Sequence, residues 1–173
     1  MKTGTWIVCC MAALMVSCAQ QGPQRPTQRK SSGPQVDSAQ LALMALNQQL
    51  AESADEQIYR AMQEQEEPYA LYEGGAWVTI LHKGNTHADR LKQGDECAIH
   101  MQVLSLAGKL YQDTQQTICI GKHETLAVIE ENIPEWHRGA RVQMYVPWYS
   151  AFGIQGTAQI PPYENVIIVL DIR

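Results

Sequence analysis

The chain has 173 residues, of which 45% are hydrophobic and 18% charged, and its formal net charge is −5. This length predicts one ordinary domain with appendages, and the acidic balance argues against nucleic acid as a partner, because phosphate binding needs a basic face. Beyond the N-terminus there is no run of 18 or more apolar residues, so we expect no membrane-spanning helix in the body of the chain.

The first residues have the features of a secretory leader. Lys2 gives a positive start, residues 6–16 are almost wholly apolar, and a small residue precedes Cys18. Residues 15–18, Met-Val-Ser-Cys, resemble the bacterial lipobox, whose cysteine is acylated and becomes the new N-terminus. We therefore expect residues 1–17 to be a lipoprotein signal peptide and Cys18 to carry lipid, in a protein anchored in the bacterial cell envelope at the periplasmic face or the outer membrane. Plain secretion, with Cys18 as a bystander, is the alternative.

Two segments separate this leader from the main domain. Residues 18–36 are rich in Gln, Pro, Arg and Ser without hydrophobic periodicity, which predicts a flexible tether. Residues 37–67 are predicted to form a helix that ends before Pro68, because apolar residues recur at spacings of three and four. We expect this stripe to pack on its own domain or on a partner, and a homodimer formed through the helix is one such arrangement. The stripe consists of Leu43, Leu46, Leu50, Ala54, Ile58 and Met62.

Residues 75–173 change to short alternating runs that predict an α+β domain. The patterns favour an antiparallel sheet of about five strands with one short helix at 124–133, which Pro134 ends or distorts. The strand segments are 77–81, 97–106, 110–111, 117–120, 141–146 and 166–172.

Cysteine and histidine usage predicts no metal or cofactor. Cys97 and Cys119 remain after the leader and the lipid site are set aside, and they can bond only if two strands place them opposite each other; otherwise we expect buried free thiols. The five histidines lack ligand spacing, and no glycine-rich phosphate loop opens a helix. We expect His100 to be a hydrogen-bonded structural residue.

Five segments, taken in order, resemble the FKBP-type peptidyl-prolyl cis-trans isomerases. The layout of the chain more faintly resembles the FKBP-like lipoproteins of Bacteroidetes. The resemblance implies an FKBP-like antiparallel sheet wrapped on a short helix. The segments are Gly94–His100, Gly108–Gln112, Ile120–Gly121 with the helix that follows, Gly139–Gly153, and Ile160–Ile168.

This resemblance implies an isomerase site that has no nucleophile and no metal. A dry pocket would hold the proline ring of an X–Pro segment, and the backbone N–H of the second residue of the Thr125–Leu126 pair would hold the peptide carbonyl. The implied site residues are Tyr111, Thr125, Leu126, Ile129, Phe152 and Ile168.

Several positions depart from the family pattern. Ile129 stands where the pocket floor usually has tryptophan, Met101 replaces a tyrosine, Gln112 replaces an aspartate, and Gln116 lies near another usual aromatic. We therefore expect an aliphatic, shallow pocket, reduced activity and poor binding of macrolide drugs. The two functional hypotheses are an isomerase or folding helper acting on client envelope proteins, and a non-catalytic binding or assembly module with the same fold.

Four further aromatic residues fall in the loops near the implied site. We expect them either to rim a peptide groove, since aromatic side chains supply rigid contact area at interfaces, or simply to pack. They are Trp136, Trp148, Tyr149 and Tyr163.

Overall fold

The structure is a computed structural model that describes residues 37–63 and 68–173. The predicted signal peptide, Cys18 and the predicted tether lie outside these residues. Nearly all described residues belong to one compact unit, Ala39–Arg173. Within the described ranges, no helix combines the length and the apolar composition needed to cross a membrane. The elements are helices α1 (Ser38–Gln63) and α2 (Ala127–Asn132), and strands β1 (Ala70–Leu71), β2 (Trp77–Lys83), β3 (Glu96–Ser105), β4 (Leu110–Cys119), β5 (Ala140–Val146) and β6 (Val166–Ile172).

The strands form one antiparallel sheet in the order β1-β2-β5-β6-β3-β4. Five of them are long, as the sequence predicts, and the two-residue β1 adds a short sixth strand beside β2. The closing strand β6 pairs with both β5 and β3 and is therefore central. The predicted α+β fold with an antiparallel sheet and a short helix is confirmed.

One face of the sheet carries the main core. Alternate residues of β6 point to this face and are buried, because successive side chains of a strand leave on opposite sides. Helix α2 packs on the same face through Val128 and Ile129, and Ile133 follows in the next turn. Residues 133–135, which include Pro134, continue α2 as a short 3-10 helix, so the predicted distortion is confirmed.

Helix α1 packs on the opposite face. Ile58 and Met62 form a second cluster with Tyr145, whose neighbours in β5 point to the main core. The amide of Asn165 donates a hydrogen bond to Gln57 at 3.2 Å, which also holds the helix to the domain. The predicted stripe is thus buried near its C-terminal end, whereas Leu43 is exposed.

Two predicted boundaries are wrong. β4 runs without interruption from Leu110 to Cys119, although its middle residues 112–116 are polar, because they pair with β3 throughout. Helix α2 starts at Ala127 rather than at residue 124, because the backbone of Leu126 is not helical, with φ −59° and ψ 136°.

Cys97 and Cys119 are both free. Cys97 pairs across the ladder with Ile118, and Cys119 pairs with Glu96. Directly paired residues share a face and neighbours alternate, so the two thiols point to opposite sides of the sheet. Cys97 is buried, and burial raises the pKa of its thiol. Cys119 is only half-buried, so the expectation of two buried thiols is wrong for Cys119.

Candidate active site

The loop before α2 is shaped by one buried carboxylate. Glu130 accepts four backbone N–H hydrogen bonds at 2.6–3.2 Å. Burial alone would raise the pKa of this carboxyl, but the four hydrogen bonds outweigh burial and lower it. Glu130 therefore holds the loop as an ionised acceptor, a role that the sequence pattern did not indicate. The four donors are Gly121, His123, Glu124 and Thr125.

Leu126 lies at the junction between this loop and α2. Its carbonyl accepts hydrogen bonds from the N–H groups of Ile129 and Glu130, at 2.9 and 3.1 Å. Among the residues that the structure describes, none accepts a hydrogen bond from the N–H of Leu126. The donor that the resemblance assigns to substrate is therefore unpaired within the described chain, and the side chain beside it is half-buried.

Tyr111 and Phe152 are half-buried aromatic residues that pack against the main core. The hydroxyl of Tyr111 donates to Glu164 at 2.8 Å, and the N–H of Tyr163 donates to the carbonyl of Gly153 at 3.2 Å. The segment 163–164 therefore bonds to the start of β4 and to the loop of Phe152, which links the surroundings of the two rings. Burial, and then the Glu164 carboxylate, raise the pKa of Tyr111.

Ile129 and Ile168 lie deeper than these two rings. Both belong to the main core and neither has any solvent-exposed surface. Met101, which stands where the family has a tyrosine, is also buried in this core. In this conformation a ligand could touch the surrounding side chains but not Ile129 or Ile168.

Five of the predicted site residues belong to the main core or pack against it, but they differ in access. Tyr111, Leu126 and Phe152 are half-buried and pack on the core that contains Ile129 and Ile168. Thr125 is half-buried and contributes its N–H to Glu130 rather than to a ligand. Gln112 and Gln116 are half-buried positions of β4.

Three solved structures have a similar architecture. A peptidyl-prolyl cis-trans isomerase from Pseudomonas syringae matches with a TM-score of 0.57 at 15% identity, over 70% of this chain and 92% of that chain. FkpA from Escherichia coli matches with a TM-score of 0.59 at 16% identity, over 79% of this chain and 64% of FkpA. The N-terminal domain of FKBP42 from Arabidopsis thaliana matches with a TM-score of 0.53 at 18% identity, over 62% and 91%. The chain has an FKBP-like fold.

At these identities the likeness establishes the fold alone. No protein-family model matches the sequence, and a search of curated proteins finds no match. The resemblance to lipoproteins of Bacteroidetes stays a prediction.

Three of the four loop aromatics cluster in this FKBP-like domain. The ring of Trp148 lies edge-on to Tyr149 and Tyr163, with centroids 5.5 and 5.0 Å apart. Trp136 does not join them, because it is buried in the main core, where its ring lies 6.1 Å from that of Tyr72. Trp136 therefore packs in the core, which is the second of the two expected roles, and does not rim a groove.

His100 is a hydrogen-bonded residue of β3, as predicted, and lies apart from the candidate site. Its Nε2 is 2.7 Å from Asp113 and its Nδ1 is 3.2 Å from Asp171. The hydrogen bond to Asp113, followed by that to Asp171, raises the pKa of His100 in spite of desolvation. In the same ladder, hydrogen bonds from Gln102 and His100 lower the pKa of Asp113.

Proposed function

We propose that this protein is an FKBP-type peptidyl-prolyl cis-trans isomerase or folding helper that acts on X–Pro segments of client polypeptides. The observation that supports the proposal is the unpaired N–H of Leu126, in a domain whose core also carries the half-buried rings of Tyr111 and Phe152. The FKBP-like fold supports the same reading.

Prolyl isomerisation breaks no covalent bond, so the site needs only to bind the twisted amide. An X–Pro amide isomerises over a barrier of about 18–20 kcal/mol, and the twisted amide at the top of that barrier has lost its resonance. A site accelerates the rotation when it binds the twisted form better than either planar form. Here the N–H of Leu126 would anchor a peptide carbonyl, while Tyr111 and Phe152 would contact the prolyl ring and exclude water.

We expect turnover to be slow. Ile129 supplies apolar bulk without the stacking or rigidity of an aromatic floor, and it is fully buried. Phe152 has a ring without a hydroxyl, so it offers no hydrogen bond to the substrate.

The burial of Ile129, Ile168 and Met101 also favours a second candidate function. A floor closed by these side chains leaves a surface that can hold a peptide without enclosing its proline. The chain would then be a non-catalytic binding or assembly module with an FKBP-like fold.

Isomerisation of a short X–Pro peptide separates the two functions. We expect the purified chain to accelerate cis–trans exchange, and Phe152→Ala to reduce kcat/KM by about tenfold, as loss of one buried-ring contact implies. Ile154→Ala is the matched control, because Ile154 is an exposed residue of the same loop. If micromolar protein with a native circular-dichroism spectrum gives no acceleration, the binding-module function replaces the first.

We further propose that the protein is a lipoprotein of the bacterial envelope, anchored through Cys18. Loss of radiolabelled palmitate incorporation in Cys18→Ser would support the anchor, and unchanged incorporation would reject it. The exposed N-terminal half of α1, where Leu43 and Leu46 lie, supports the proposal that this helix pairs two copies of the chain.

A further inference from the structure

A cleft lies between α1, the β1–β2 pair and the loop that follows β5. Its volume is about 420 Å³. Two contacts hold its walls: Leu71 pairs with Trp77 across the β1–β2 ladder, and the hydroxyl of Tyr149 donates to Asp55 Oδ1 at 3.0 Å. None of the candidate isomerase residues lines it. The side chains that line it are Asp55, Glu56, Tyr59, Leu71, Trp77 and Tyr149.

The cleft concentrates exposed apolar surface. Tyr59, Leu71 and Tyr149 are 58%, 60% and 43% exposed, and Trp77 joins them from β2. Single exposed apolar residues are ordinary, but several that line one cleft indicate a contact surface. The rings of Tyr and Trp also present electron-rich faces that attract cations.

Charge restricts what this surface can accept. Asp55 and Glu56 stand on the α1 wall, and Tyr59 lies one helical turn after Asp55, on the same side of the helix. The cleft lining, all of it within the described residues, includes no basic side chain. Arg60 reaches Glu56 at 3.4 Å, but both side chains of this pair are more than two-thirds exposed, so an incoming cation can displace Arg60 at little cost.

We propose that this cleft binds an arginine or lysine side chain of a partner polypeptide. The cationic head lies between the aromatic rings and the two carboxylates, and the aliphatic stem covers Leu71. The net charge of −5 favours the approach of such a basic segment. The proposal does not depend on isomerase activity, because binding can be measured directly.

Fluorescence anisotropy with a labelled Gly-Arg-Arg-Gly peptide, compared with Gly-Gln-Gln-Gly, tests the proposal on the purified chain. We expect only the arginine peptide to bind, and the double variant Asp55→Asn, Glu56→Gln to weaken binding about tenfold, since each solvated charge contact contributes a few-fold. Asparagine at this position keeps an oxygen acceptor for the Tyr149 hydroxyl, so the cleft wall is retained.

The matched control removes the same charge elsewhere. Glu52 lies on α1 outside the cleft lining, and Glu131 is an exposed residue of α2, so Glu52→Gln with Glu131→Gln should leave binding unchanged. Tyr59→Ala changes no charge on an exposed helix position and should weaken binding about threefold through loss of one cation–π contact. Equal binding of the two peptides, equal loss in the control variant, or unchanged binding in Tyr59→Ala would overturn the proposal.

Discussion

Replacing Glu130 by glutamine should lower the free energy of unfolding by about 3 kcal/mol at neutral pH. The carboxylate accepts four backbone hydrogen bonds, two on each oxygen. A glutamine amide keeps one oxygen, and its NH2 group would face the other two N–H donors. Each of these part-buried donors, left without an acceptor, costs about 1–2 kcal/mol, so two of them account for the expected loss. This loss is a large share of a domain stability of about 5–15 kcal/mol.

Urea unfolding followed by circular dichroism measures this loss, with Glu131→Gln as the control because Glu131 is exposed in the same helix. The pKa of Glu130 is lowered from its ordinary value of 4.5, so its stabilisation is present above that pH and disappears as pH falls through the lowered pKa. The gap between wild type and Glu130→Gln should therefore narrow in acid. A variant within about 0.5 kcal/mol of wild type at neutral pH, or a gap that does not change in acid, would refute this reasoning.

Three further predictions concern the other face of the sheet and the helix α1 that packs on it. The pKa of His100 is raised above its ordinary value of 6.5, so the stabilisation of the fold by protonated His100 is complete below pH 6.5 and is lost as pH rises through the raised pKa. In thermal melts, the Tm of the wild type should therefore fall as pH rises through the raised pKa, and the Tm of His100→Gln should not. Parallel dependence of the two Tm values on pH would contradict this prediction. Ile58→Ala should lower the free energy of unfolding by about 2–5 kcal/mol, because the Ile58 side chain of α1 is buried against the sheet. A smaller loss in urea unfolding would mean that the helix is not docked. Because Leu43 is exposed, Leu43→Ala should change the free energy of unfolding by less than about 0.5 kcal/mol. If α1 pairs two copies of the chain, the same substitution should lower the molar mass measured by sedimentation equilibrium.

The alternation of apolar and polar side chains predicted most of the strands. The prediction failed for β4, which lies at the edge of the sheet. β6 is central, and its run of Val and Ile predicted it correctly. β4 pairs only with β3 within the described sheet, so residues 112–116 can be polar and still extended, and propensity alone split the strand in two. Hydrogen bonds to β3 keep residues 112–116 extended, although the polar sequence of this segment does not predict a strand.

Features that join distant segments could not be predicted in this way. Leu43 and Ile58 belong to one periodic stripe, but Ile58 meets the sheet and Leu43 does not, and only the placement of the sheet distinguishes them. Glu130 resembles any acidic residue of a helix until the loop 121–125 is folded around it. The resemblance supplied the candidate site residues, but it could not predict that Ile129 would be closed to solvent.

Under the two proposals, the solvent-closed side chains of Ile129 and Ile168 and the acidic cleft both affect how firmly a client peptide is held. A shallow surface at Phe152 provides little area for a proline ring, so a peptide that met only this surface would dissociate quickly. Tyr149, in the cleft, precedes Phe152 by three residues, which limits their Cα separation to about 11 Å. A basic residue held in the cleft would raise the effective concentration of a nearby X–Pro bond at Phe152 without any new contact there. Under both proposals, the acidic cleft would select clients by charge, and the apolar surface would act on the proline that follows or precedes the basic residue.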